Sequence, residues 1–121
     1  MQMQSSSIVA TTADRRCGPR VSINLPIKVL EPLLLDGKLI DLSLCGCGIL
    51  MSEPLSPNSL LTVHLSLPSE DGFTQIALKC SVARCNKIRN QYLTGLSFDE
   101  LKPHQSYEIN AFFHYHRRFS A

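Results

Sequence analysis

No apolar run in this chain approaches the roughly 18 residues needed to cross a bilayer, so no membrane insertion is expected. There is no nucleophile elbow, no Walker-type phosphate loop and no H-E-x-x-H, so the usual signatures of hydrolases, nucleotide-cleaving enzymes and metalloproteases are missing. The chain reads as a non-enzyme. Charge is sparse, at 18 % of residues, which argues against a largely disordered chain. The formal net charge is only +2, too small to point to a long nucleic acid. Aromatics are few, 7 %, and this weakens a barrel that stacks single-stranded bases. The N-terminus, Met1 to Thr12, lacks the basic start and apolar stretch of a signal peptide. A cytoplasmic protein is expected. There is also no C-x-x-C pair among the five cysteines, Cys17, Cys45, Cys47, Cys80 and Cys85. Cys45-x-Cys47 with His114 and His116 lacks the repeated spacing of structural zinc sites. The reading is no metal and reduced, partly buried thiols.

What is present is alternation. Val21, Ile23, Leu25, Ile27 and Val29 alternate with polar residues and Pro26, the period-two pattern of a half-buried strand. Pro26 implies an edge or a bulge there. Asp36-Gly37 is a two-residue hairpin signal, after which Lys38 to Ser43 reads as a returning strand. Gly48 to Ser52, Val63 to Leu67, Ile76 to Val82 and Tyr92 to Phe98 complete a set of short strands, with a turn expected over Lys87 to Gln91. Ile109, Phe112, Phe113 and His116 recur at three and four, a helical stripe with Pro103 placed for a first turn. The residues alone predict an all-β sandwich or small barrel, capped by a helix. At 121 residues it is one domain, preceded by a flexible tail over residues 1–13.

Two short stretches carry chemistry. Asp41-Leu42-Ser43-Leu44-Cys45-Gly46-Cys47-Gly48 reads as a strand offering a carboxylate and a hydroxyl, two apart on one face. Gly46 and Gly48 follow, and a sharp turn is expected to use their backbone freedom. A carboxylate accepts two hydrogen bonds side by side, which suits a planar edge with paired N–H donors, such as guanine. Capping of a bulged turn by Asp41 and Ser43 is the plainer alternative. Upstream, Arg15-Arg16-Cys17-Gly18-Pro19-Arg20 sets three guanidinium groups in six residues. Arginine binds phosphate in bidentate fashion and stacks on flat rings. Gly18 and Pro19 make this stretch a loop.

Together the stretches read R-R-x-x-x-R followed by D-x-S-x-x-G, and that combination resembles the PilZ domain, a bacterial receptor module for cyclic di-GMP. The resemblance runs from about Asp14 to Ala121, including Gly95-Leu96-Ser97-Phe98 as a closing strand and Arg84, where family members often carry an arginine. It implies an all-β fold, a six-stranded antiparallel split barrel with a C-terminal α-helix, over residues 14–121. It further implies that Arg16 and Arg20 bind phosphate and guanine, Asp41 reads a guanine edge, Ser43 supports it, and Gly46 lets the backbone turn beside the ligand. An arginine at Arg15 implies two cyclic di-GMP molecules, bound as an intercalated dimer. An arginine loop of like charges should order over the anion and signal to an effector protein. The alternative is an adaptor of the same fold that binds proteins and no nucleotide.

Overall fold

A strand with one face on a core and one in water must alternate apolar and polar residues, and the chain does this almost throughout. The computed structural model describes residues 17–119. Among them are six strands and one helix: β1 (Val21–Glu31), β2 (Leu35–Leu42), β3 (Gly46–Met51), β4 (Leu60–Ser69), β5 (Gly72–Ile88), β6 (Gln91–Phe98) and α1 (Pro103–Phe119). The strands form a closed barrel in the order β1-β2-β3-β6-β5-β4, every pair antiparallel. This is the expected architecture, a six-stranded antiparallel barrel with one C-terminal helix. Closure leaves no free sheet edge.

The buried set is the alternating set. Ile27, Val29, Leu39, Ile49, Val63, Leu65, Leu78 and Val82 fill the barrel. Helix α1 covers it with Ile109, Phe112 and Phe113, the predicted stripe. Lys102 caps the helix: its N–H donates to Gln105 Oε1 at 2.8 Å, the reciprocal half of a capping box. Gln105 Nε2 also donates to the Ala77 carbonyl at 3.0 Å, which fastens the helix start to β5. His116, Arg117 and Arg118 lie in the last turn, where positive charge complements the helix dipole. Arg118 pairs there with Glu70.

Pro26 stays within β1, paired to Lys38 on one side only, because pairing with β4 starts at Ile27. Two turn expectations are corrected. Asp36-Gly37 is not the hairpin; both lie inside β2, opposite Lys28 and Ile27. The chain reverses instead over Pro32, Leu33 and Leu34, and the Glu31–Pro32 bond is cis. Gly37 serves close packing, since a Cβ there would fall on Met51 Sδ and within 3.0 Å of the Leu50 carbonyl oxygen. The β5–β6 turn is also tighter than Lys87 to Gln91, narrowing to Arg89-Asn90 with Arg89 at φ 56°.

The expectation of five reduced thiols is corrected as well. Cys17 and Cys45 are joined in a disulfide, with Cα atoms 5.6 Å apart. Strand pairing brings them together. Val21 opposes Leu42, and Cys17 lies just ahead of Val21 while Cys45 lies just beyond Leu42. The spacing along the chain, 28 residues, carries no sign of this.

Candidate functional site

Three residues, Ser43 to Cys45, connect β2 to β3, and the geometry of this turn is set by Ser43. The Ser43 N–H donates to the Gly46 carbonyl at 2.9 Å. Its hydroxyl donates to the same carbonyl at 3.2 Å and accepts from the Cys45 N–H at 3.2 Å. Ser43 is buried, so this hydroxyl pins the turn. The Cys45 carbonyl then accepts from the Phe98 N–H at 2.8 Å, tying the turn to β6.

Beside this turn lies a cavity of about 360 Å³ on the outer wall. Its floor is made by glycines. Gly48 of β3 stands directly opposite Gly95 of β6, and neither projects a side chain. Two charged groups lie across this floor. The Asp41 carboxylate sits over Gly48, both oxygens 3.0 Å from where a Cβ would be. The Arg84 side chain lies over Gly95, its Nε 3.5 Å from the equivalent point. Arg20 comes in from the loop before β1 and its Nη1 donates to Asp41 Oδ1 at 2.6 Å. Both partners are partly exposed, so the pair contributes little to stability, about 0–1 kcal/mol. It is easily exchanged for another partner. Two guanidinium groups and a carboxylate thus line the cavity, with Asp41 and Arg84 lying low across the two glycines.

Gly46 and Gly48 are both buried, but neither is among the positive-φ glycines, Gly18 and Gly72. Backbone freedom is therefore not their role, which corrects the expectation of a turn built on it. Gly46 is needed for close strand approach: a Cβ there would run into the Leu96 carbonyl oxygen. Gly48 is needed so that Asp41 can lie flat. Burial pushes the Cys47 thiol far above its usual range, Cys80 and Asp41 add to the effect, and Arg20 opposes it. This thiol is an uncharged part of the wall.

Of the residues singled out in the sequence, Arg20, Asp41 and Gly46 line this one cavity. Ser43 is placed behind it, holding the turn. Arg15 and Arg16 lie outside the described residues, as does the tail over residues 1–13. The residues alone did not disclose the glycine floor or the orientation of Arg84. Inward positions of β5 run Ile76, Leu78, Cys80, Val82, and strict alternation would send Arg84 inward too. A register shift between Val82 and Arg84, a bulge, turns it out onto Gly95. The available signal was an arginine at the next inward position of an otherwise apolar series.

Comparison with known proteins agrees with this fold. Residues 14–114 match the PilZ domain. No sequence match to a curated protein was found. Among solved structures, the PilZ domain of Escherichia coli YcgR with c-di-GMP aligns with a TM-score of 0.68 at 14 % identity, covering 84 % of this chain and 91 % of that one. The Bacillus subtilis inhibitor of motility MotI/DgrA aligns with a TM-score of 0.67 at 18 % identity and covers 82 % of this chain. This chain spans about half of that protein, 48 % of its length. A tetrameric PilZ protein of Xanthomonas campestris aligns with a TM-score of 0.56 at 23 % identity, over 70 % of this chain and 47 % of its own. With its barrel, its helix and the match across most of its length, the chain belongs to the PilZ domain family.

Proposed function

We propose that this chain is a receptor for cyclic di-GMP, and that it acts in the cytoplasm by passing the bound state to an effector protein. The observation that carries the proposal is the glycine floor at Gly48 and Gly95, flanked by the Asp41 carboxylate, Arg84 and Arg20. The two glycines let Asp41 and Arg84 lie low against the wall, which leaves room for a flat base above them. Guanine presents two N–H donors on one edge, and a carboxylate accepts both. Guanidinium groups supply bidentate contacts to phosphate and faces for stacking. In this reading Arg16 and Arg20 take the phosphates, Asp41 reads guanine, Ser43 holds the turn that aims it, and Gly46 lets β3 and β6 close beneath. Arg20 leaves Asp41 for phosphate, and the exposed pair it gives up is a weak one. The stretch from Arg15 to Arg20 then orders over the ligand, and the ordered surface is the signal. Nothing in this mechanism makes or breaks a bond in the ligand, so the domain binds and does not catalyse.

Titration calorimetry with cyclic di-GMP tests the reading, with GTP and a short oligonucleotide as comparators. Saturable heat is expected for cyclic di-GMP alone. Arg16→Ala and Arg20→Ala should each weaken binding about ten- to a hundredfold, the value of one or two charge-assisted hydrogen bonds. Wild-type affinity in either folded variant would overturn the arginine clamp. No heat with cyclic di-GMP would leave the protein-binding adaptor as the reading.

A further inference from the structure

The two halves of the proposed site are covalently joined. Cys17 stands between Arg16 and Arg20, inside the R-x-x-x-R stretch, and Cys45 stands inside D-x-S-x-x-G. Their disulfide therefore ties the arginine loop to the turn that carries Asp41. Cys17 is buried at 6 % exposure, whereas Cys45 is exposed and lines the cavity. We propose that Cys17–Cys45 is a reversible redox site, whose closure raises the affinity of the adjoining cavity for cyclic di-GMP. This rests on the receptor reading above.

The chemistry is thiol–disulfide exchange with a low-molecular-weight disulfide. The Cys45 thiol gives up its proton, and its sulfur attacks one sulfur of the oxidant, expelling the first thiolate. Cys17 then loses its proton and attacks Cys45 Sγ, expelling the second. Two protein thiols lose two electrons, the oxidant gains them, and the two released protons end on the two small thiols. Cys45 is the reachable partner for both oxidant and reductant. The remaining cysteines do not compete for the bond. Cys47 and Cys80 are buried, and Cys85 sits on β5, accepting from Thr94 Oγ1 at 3.5 Å. Disulfides in a reducing compartment are characteristically transient and sensing.

The direction of the effect follows from what holds the loop. With the bond closed, only Gly18 and Pro19 separate the tether from Arg20. With it open, the loop keeps the packing of Cys17 and the exposed Arg20–Asp41 pair, while Gly18 and Pro19 are exposed. The open loop must be ordered by the ligand, and that entropy is taken from affinity. Fixing about one residue's backbone corresponds to about tenfold.

The test is calorimetric titration of the full chain with cyclic di-GMP, after equilibration with excess glutathione disulfide or with dithiothreitol. Alkylation and mass measurement report the thiol count, three when closed and five when open. Oxidised protein is expected to bind about tenfold more tightly. Cys17→Ser, and separately Cys45→Ser, should bind like reduced protein under both conditions, and Cys85→Ser should keep the response. Equal affinity in the two states, tighter binding by reduced protein, or failure of the oxidant to protect Cys17 and Cys45 would overturn the redox site while the receptor reading stands. Absence of binding in both states would overturn the receptor reading, and the redox proposal with it.

Discussion

At the scale of single residues, the site separates into groups that meet a ligand and groups that shape the wall. In the proposed receptor, Asp41 belongs to the first kind. Its carboxylate is partly exposed and lies on Gly48, so Asp41→Ala should abolish guanine recognition with little effect on folding. Glu53, exposed in the segment after β3, is the control. Glu53→Ala should leave calorimetric affinity unchanged, and an equal loss from both would mean that general electrostatics is being measured. The glycines divide in the same way. An added Cβ at Gly46 meets backbone of Leu96, which cannot move without parting β3 from β6. Gly46→Ala should therefore lower stability by about 1–3 kcal/mol, the usual effect of overpacking, seen as a lower Tm. At Gly48 the neighbour is the end of a side chain. Gly48→Ala should push the Asp41 carboxylate aside, so that affinity falls and Tm changes little.

At the scale of elements, the arginine loop and the β2–β3 turn act as one unit. The loop enters β1 at Val21, opposite the end of β2, and so is carried to the cavity by strand register. Its first arginine, Arg15, outside the described residues, is proposed to set the stoichiometry. Two intercalated cyclic di-GMP molecules carry twice the phosphate charge of one and present a further guanine face. A third guanidinium can neutralise the first and stack on the second. Arg15→Leu should lower the calorimetric ratio from two ligands per chain toward one, with a smaller effect on the first ligand. A ratio of one in the wild type would refute the dimer and leave the receptor reading intact. Helix α1 is a separate unit. It packs through Ile109, Phe112 and Phe113 and closes the core.

At the scale of the molecule, two thiols link stability to pH. Burial, with a smaller effect from Asp99, pushes the Cys80 thiol up from 9.0 to about 12, and Cys47 moves in the same direction. In the unfolded chain both lose protons near the ordinary value, while in the folded barrel they keep them. Above about pH 9 the unfolded state binds fewer protons, so stability is full below that pH and falls as pH rises. Each thiol adds at most about 1.4 kcal/mol per pH unit to the slope. Urea midpoints should hold at pH 8 and fall between about pH 9 and pH 11, and Cys80→Ala should make the fall shallower. An unchanged slope in that variant would show that other groups dominate alkaline unfolding.

The strands, the capping helix and the two motifs were legible in the residues alone, because these are local. Alternation of Val63, Leu65 and Leu67, or the three-and-four spacing of Ile109, Phe112 and Phe113, records which side of an element is dry. That pattern does not depend on which strand lies next door. Asp36-Gly37 misled for the same reason: a favourable turn pair says nothing of Met51 and Leu50 packing across it. That Gly48 faces Gly95, that a bulge turns Arg84 out onto Gly95, and that Cys17 meets Cys45 emerged only with the folded barrel. Each depends on register between segments far apart in the chain. Register is fixed by closing the barrel around one core, and no window of residues contains it.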